Sequence, residues 1–366
     1  MHDGVGPESW APYMTWAKHH EPARWDLSGS NLLPCTVEDL AGARTELLLY
    51  AQNDDGYPPL VNAIANRFGV ERDRVVTATG AAGATFLALA ALVRPGDEVL
   101  VEWPGYDPQA GAAHLLGAEV RRFPRPWTEG FRVDPDAVRA ALSPRTRVVV
   151  LTNLHNPSGV YTSPDVMRKV GLAAAEVGAH VLVDEVYLEI LTGVDTGPAA
   201  HLGDVFVSVN SLTKTFGLAG LRVGWMLARP EVAERARRAR DVVDGVGSVP
   251  SEALGALAFE RIEELLRRAR RIVMANSELM RGFVMEHASA VEWAVPPGAS
   301  IALLRLLGAD DTGPFVEMAR REFGVGVTPG RYFGCPGHFR VAISGRRHVL
   351  EGGLEALGRA LRRAGA

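Results

Sequence analysis

Lys214 lies in the run Ser211-Leu212-Thr213-Lys214-Thr215-Phe216-Gly217-Leu218-Ala219-Gly220-Leu221-Arg222, where an apolar stretch ends among small and hydroxyl residues. A lysine amine attacks a carbonyl only when deprotonated, so a Schiff-base lysine needs surroundings that depress its pKa from about 10.4. Arg222 keeps its charge and presents a planar fork of donors that suits a phosphate. The pair reads as a covalent attachment point beside an anion clamp, and an aldehyde carrying a phosphate would use both. One lysine and one arginine in a loop are more often structural, so other residues must carry the case.

Those residues need a scaffold that brings them together. From about residue 70 to 230 short apolar runs alternate with segments of helical length, the pattern of a wound parallel sheet. Strands are expected over residues 74–78, 98–102, 147–152, 180–183 and 205–209, with one more over 222–228. Helices are expected over 82–93, where Phe86, Leu87, Leu89 and Leu92 sit among alanines, and over 163–176. Beyond residue 230 the texture turns to Arg/Glu/Ala-rich helix, at 231–241 and 260–285, and the basic cluster Arg267-Arg268-Ala269-Arg270-Arg271 reads as a solvated helix face. Pro296-Pro297-Gly298 marks a turn before a strand over 301–306, and a last strand over 338–343 precedes a helix near 350–363. The expected class is α/β, a mostly parallel wound sheet flanked by helices in a large domain (46–262). A smaller α+β domain is expected from residues 1–45 and 263–366.

In open α/β sheets ligands bind beyond the carboxyl ends of the parallel strands. Unusual polar residues follow the apolar runs there: Thr79-Gly80-Ala81-Ala82, Trp103-Pro104-Gly105-Tyr106, Asn153-Leu154-His155-Asn156, Asp184-Glu185-Val186-Tyr187 and Asn210 to Lys214. The Gly80-Ala81-Ala82 turn offers unencumbered N–H groups at a helix N-terminus, where the dipole favours an anion, although such turns also serve only to pack helix on strand. No Gly-x-Gly-x-x-Gly appears and no lysine follows the turn, which weakens dinucleotide and P-loop readings. Asp184 ends the apolar run Val181-Leu182-Val183, so its neighbours desolvate it and an unpaired carboxylate there is costly. A cationic ligand nitrogen, a helix cap or a buried salt bridge would each satisfy it.

Pyridoxal 5′-phosphate joins an aldehyde, a phosphate and a basic ring nitrogen, and the Lys214 segment resembles the active-lysine signature of the fold-type I, class I/II aminotransferases. The separations Asn156 to Asp184, Asp184 to Tyr187 and Lys214 to Arg222 match that family's pattern. So does Gly337-His338-Phe339-Arg340-Val341-Ala342-Ile343-Ser344, similar to the motif whose arginine holds the substrate α-carboxylate. The matches cover most of residues 45 to 345. Three positions depart from the pattern: Ala82 lacks the hydroxyl often found there, Leu154 stands where relatives often carry proline, and Ser158 replaces the commoner threonine. The first leaves a phosphate more dependent on backbone, Ser211 and Arg222. Tyr50 resembles the tyrosine that reaches the partner subunit's phosphate, which implies a homodimer with shared sites.

The resemblance implies that Lys214 holds the cofactor covalently, that Asp184 keeps its ring nitrogen protonated, and that Tyr187 and Asn156 bond its phenolic oxygen. Tyr106 would stack on the ring, worth about 0.5–1.5 kcal/mol beyond burial, unless it is an ordinary packed tyrosine. His155 reads as structural. Arg340 and Asn156 would receive an α-amino acid, Lys214 would move the proton from Cα, and the amino group would pass to a 2-oxo acid in ping-pong fashion. A lyase, decarboxylase or cyclase on the same scaffold would share every cofactor residue. Retention of Arg340 favours chemistry at Cα–H over loss of the clamped carboxylate. A cofactor-sensing regulator is a further alternative, weakened by the lack of a DNA-binding pattern ahead of the large domain.

The bulk composition agrees with a small-molecule enzyme. The chain has 366 residues, long enough for two domains, and 47% hydrophobic with 22% charged residues is ordinary for a globular protein. A formal net charge of −4 supplies no electrostatic reason to expect nucleic acid or an anionic membrane as partner. Residues 1–10 lack a basic start followed by an apolar run, and the apolar stretch 84–93 is too short to span a bilayer, so the expected location is cytoplasmic. Cys35 and Cys335 fit no metal-type spacing, no metal is expected, and both thiols are expected to be free. Trp10, Tyr13 and Trp16 recur at helical spacing and read as packing residues, with lining or lidding the pocket as the alternative.

Overall fold

The computed structural model describes residues 11–40, 48–296 and 298–365. Trp10, Pro297 and the expected domain boundary at residue 46 lie outside them. The described elements begin with helix α1 (Pro12–His19), strand β1 (Trp25–Asp26) and helix α2 (Pro58–Phe68). The alternation read from the sequence then appears as β2 (Val75–Thr79), α3 (Gly80–Leu92), β3 (Glu98–Trp103), α4 (Asp107–Leu115), β4 (Glu119–Pro124), α5 (Pro135–Ala141) and β5 (Thr146–Thr152). It continues through α6 (Pro164–Glu176), β6 (His180–Asp184), β7 (Phe206–Ser211) and β8 (Val223–Leu227).

These seven strands form one sheet in the order β2-β8-β7-β6-β5-β3-β4. Strands β3 to β7 pair in parallel, while β8 runs antiparallel to both β2 and β7. The link from β7 to β8 holds the Lys214 loop and a short turn at Ala219–Leu221, too little chain for the helical crossover a parallel neighbour requires. The strand expected from residue 222 begins one residue later, because Arg222 has a left-handed φ of 54°. Val148 to Leu151 and Val181 to Val183 are fully buried, since helices cover both faces of the central strands. Strand β4 escaped the sequence reading because it is an edge: Glu119, Arg121 and Arg122 are exposed and only Phe123 is buried.

After the sheet come α7 (Pro230–Val243), α8 (Val249–Glu260), α9 (Ile262–Glu286), β9 (Val291–Trp293), β10 (Ile301–Leu306) and α10 (Gly313–Phe323). The chain closes with β11 (Val325–Gly326), β12 (Thr328–Pro329), β13 (His338–Ala342) and α11 (Arg347–Ala364). An antiparallel sheet β12-β13-β10-β9 packs against α10 and α11, and β1 pairs with β11, tying the N-terminal segment to the C-terminal part. The first turns of α9 bury Leu265 and Leu266 beside the helices of the large sheet, and its last turns bury Met280 and Phe283 beside α11. Its basic cluster corrects the sequence reading. Arg267 and Arg271 are exposed, but Arg268 donates to the carbonyls of Leu33 and Pro34 at 2.9 Å each, and Arg270 donates to those of Glu189 and Leu191. Half-buried loop carbonyls need donors, and these guanidinium groups supply them.

Candidate active site

The loop after β7 carries Lys214 into a cavity of about 270 Å³ at the carboxyl edge of the sheet. Its Nζ donates to Ser30 Oγ at 2.9 Å and Asn31 Oδ1 at 2.7 Å, both from the segment that follows β1. That segment is pinned in turn by Ser344 Oγ on the Asn31 carbonyl at 2.7 Å. Desolvation, with Arg340 next and Arg222 adding to it against Asp184, lowers the Lys214 pKa to about 7. A substantial share of the amine is therefore unprotonated near neutrality, the condition for attack on a carbonyl.

One end of the cavity suits an anion. Ala81 and Ala82 open the 13-residue helix α3 and line it together with Ser211, Thr213 and Arg222. Gly80 has a φ of 71°, and a Cβ there would run into the Arg222 guanidinium. Across the sheet a Cβ on Gly224 would strike the Gly80 backbone. The two glycines let β8, the helix start and the guanidinium approach closely, so bare N–H groups and an exposed arginine face the same space.

The other walls carry Tyr106, Asn156, Asp184 and Tyr187. Asp184 ends β6, is 8% exposed, and has its pKa raised to about 6 by burial. Its contacts are weak: Val186 N donates at 3.3 Å and Gln109 Nε2 at 3.4 Å. Among the described residues Gln109 Oε1 is buried without a hydrogen-bond partner, and buried Tyr187 Oη has the Ser30 hydroxyl near it but no hydrogen bond of ordinary geometry. A cavity with an underpaired carboxylate, an underpaired phenol, an aromatic wall and an anion cradle around a neutralisable amine fits a phosphorylated aromatic aldehyde with a basic ring nitrogen.

Arg340 sits on β13 directly behind Asn156 and is fully buried. Its Nη1 donates to Asn156 Oδ1 at 2.9 Å, its Nη2 to Tyr13 Oη at 2.6 Å and to the Ser28 carbonyl at 3.3 Å, while Nε has no partner among the described residues. The rings of Tyr13 and Phe333 flank the guanidinium at 5.1 and 4.7 Å. Tyr13 thus does both things weighed for it, packing against Phe333 and reaching the site, and Met14 of α1 lines the cavity. Ser30, Asn31, Gln109 and Thr152 are site residues the sequence reading missed. Gln109 was within reach, three residues beyond Tyr106 on the α4 face that follows it; the others had no local signal.

Two expectations fall outside the cavity. Tyr50 is 90% exposed and joins none of the other candidates within this chain. His155 is structural, as read: its Nδ1 meets Ser158 Oγ at 2.6 Å and its Nε2 the Pro104 carbonyl at 2.9 Å, and burial holds its pKa well below the usual value. Cys35 and Cys335 are free thiols. Among the described residues no helix is long and apolar enough to cross a membrane.

Comparison with known proteins places this geometry. The chain is 33% identical over 374 aligned positions to a capreomycidine synthase of Streptomyces vinaceus, spanning 97% of this chain and 95% of that protein. A crystal structure of a PLP-dependent aminotransferase from Streptococcus suis superposes with a TM-score of 0.91 at 26% identity, covering 98% of this chain and 99% of that one. The PLP-dependent cyclase OrfR superposes with a TM-score of 0.87 at 27% identity, covering 100% and 99%. The family model for aminotransferase class I and II matches residues 26–357. The family's cofactor is pyridoxal 5′-phosphate, which the lysine, carboxylate and anion cradle of this cavity fit, and the chain belongs to the class I and II aminotransferase family.

Proposed function

We propose that this enzyme moves the amino group of an α-amino acid to a 2-oxo acid, as a cytoplasmic homodimer with shared active sites. The observation that carries this reading is the pairing of Lys214, whose amine is part-neutral at pH 7, with the fully buried Arg340 behind Asn156. Arg222, Ser211 and the amides of Ala81 and Ala82 would hold the phosphate, with Gly80 leaving room for the guanidinium. Asp184 would face the ring nitrogen, Tyr106 the ring, and Tyr187 and Asn156 the phenolic oxygen. When bound, the cofactor supplies an electron sink that acidifies the amino acid's Cα–H. Arg340 binds the carboxylate and sets the direction of that bond, Lys214 takes the proton at Nζ and returns it, and Asp184 opposes loss of positive charge at the ring nitrogen. Ser30 and Asn31 hold the freed amine within the cavity. Tyr50 would reach the partner's phosphate.

A second reading has its own support: cyclase or lyase chemistry, favoured by the likeness to capreomycidine synthase and to the cyclase OrfR. Cyclase and lyase chemistry would use the same proton transfer by Lys214 and differ in what leaves, whereas a decarboxylase would break the Cα–carboxylate bond in place of Cα–H. One experiment separates the two. The loaded enzyme is mixed with a panel of amino acids in single turnover. Amino transfer releases one equivalent of 2-oxo acid and changes the cofactor absorbance until a second 2-oxo acid restores it. Release of ammonia, carbon dioxide or a cyclised product with the absorbance unchanged at the end of turnover establishes the second reading.

A further inference from the structure

We infer that Thr152 is a positioning residue for Asn156, and through it for Arg340, with the buried Glu102–Arg125 pair aiming its hydroxyl. The inference rests on the roles proposed above for Asn156 and Arg340. Glu102 near the end of β3 and Arg125 just past β4 are both fully buried and joined at 2.5 Å. Arg125 Nε is occupied by the Phe131 carbonyl at 2.8 Å, so the pair is held rigidly. Glu102 Oε1 then accepts two bonds from the last residue of β5, the Thr152 N–H at 2.8 Å and the Thr152 hydroxyl at 2.5 Å. With donors on both oxygens the carboxylate acts as acceptor throughout, so the hydroxyl hydrogen is committed to it. The oxygen lone pairs of Thr152 are left to accept, and the Asn156 N–H donates to them at 2.9 Å. Asn156 Oδ1 in turn receives Arg340 Nη1 at 2.9 Å.

A buried ion pair is weak as a stabilising device, because desolvation offsets the attraction and apolar replacements often serve the packing as well. An apolar pair cannot orient a hydroxyl. The chain from Arg125 to Arg340 joins residues contributed by β3, the end of β4, β5 and β13, and its middle member, Thr152, lines the cavity. The bond to Thr152 comes from the backbone N–H of Asn156, so removing the hydroxyl frees the main chain that presents the Asn156 side chain to Arg340 Nη1 and to the cavity.

The test uses holoenzyme reconstituted with pyridoxal 5′-phosphate and follows its visible absorbance against pH in the wild type, Thr152→Val, Thr152→Ser and Asn156→Ala. A hydrogen bond to the phenolate favours the deprotonated form, so its loss moves the absorbance midpoint up. Thr152→Val is expected to raise the midpoint by about one pH unit, and to raise KM for the best donor of the panel about tenfold with a smaller change in kcat. Thr152→Ser keeps the hydroxyl and restores both. A Thr152→Val midpoint equal to the wild type, while Asn156→Ala shifts, overturns the inference alone. A Thr152→Ser defect as large as that of Thr152→Val also overturns it, since the methyl group would then be what matters. If Asn156→Ala itself leaves the midpoint unmoved, the role of Asn156 falls and the inference falls with it.

Discussion

At Lys214 the decisive quantity is proton affinity. Desolvation, then Arg340, with Arg222 adding and Asp184 opposing, brings the amine from an ordinary lysine value to about 7. The neutral, reactive form therefore rises as pH passes through about 7, with its midpoint roughly three units below that of a surface lysine. In the apoenzyme, acylation of Lys214 followed by peptide mapping should show a midpoint near pH 7. Asp184→Asn removes a charge that favours the ammonium and should shift the midpoint down; Arg222→Gln removes one that disfavours it and should shift it up. A midpoint near that of free lysine in all three proteins would rule out this account.

The elements matter because each delivers one atom to the cavity edge. Helix α1 brings Tyr13 onto Arg340 and is itself anchored by Tyr13 N donating to Asp107 Oδ2 at 2.9 Å. Tyr13→Phe keeps the ring stacked near the guanidinium but leaves Nη2 with only the long bond to the Ser28 carbonyl. Loss of a hydrogen bond to a charged group is worth about 1.5–3 kcal/mol, so KM for donor and acceptor should rise together by roughly tenfold or more, measured by steady-state kinetics. The turn after β6 holds a different kind of residue. Glu185 is buried, accepts from Ala199 N at 2.6 Å and Ser208 Oγ at 3.0 Å, and burial raises its pKa to about 8. Its folded-state pKa lies above the unfolded one, so its stabilising contribution is complete below the unfolded value of 4.5 and is lost as pH rises through about 8. Glu185→Gln keeps both acceptor contacts and removes that dependence. The difference in Tm between variant and wild type should grow in the variant's favour from about pH 5 to about pH 9. A difference that stays constant across that range would show that Glu185 is ionised in the folded protein.

For the whole molecule, the exposed surface bears on assembly. Leu49, Tyr50, Val242, Val243 and Val246 are all at least half exposed, and Arg222 is exposed at the cavity mouth. A phosphate held there would lie open on one side, which is where a partner's Tyr50 is proposed to act. Mixing Tyr50→Phe with Lys214→Ala subunits should yield hybrids with one site carrying both defects and one carrying neither. Activity above that of either parent, together with light scattering showing two chains per particle, is the expected result. Hybrids that form without recovering activity would exclude sharing in trans.

By itself the sequence determined the wound sheet's buried strands, though not the edge strand β4, and the chemical identity of the strand-end residues, because apolar runs of fixed period report which segments are buried and where they stop. Lys214, Asp184, Asn156, Tyr187 and Tyr106 were legible for that reason, and the structure brings all five to one cavity. The antiparallel β8 was not legible, since direction depends on the length of a connection and on the left-handed Arg222 rather than on hydropathy. Nor were the partners of the reactive groups. Ser30 lies 184 positions from Lys214, and Tyr13 lies 327 from Arg340. Spacing carries no information over such separations; closure of the N-terminal segment onto β13 and the Lys214 loop decides them. The same holds for Arg268 and Arg270, which read as surface charge along α9 and become donors to loop carbonyls only once those loops pack against the helix. Local periodicity sets which residues reach the edge of the sheet, and only long-range packing sets which atoms they meet there.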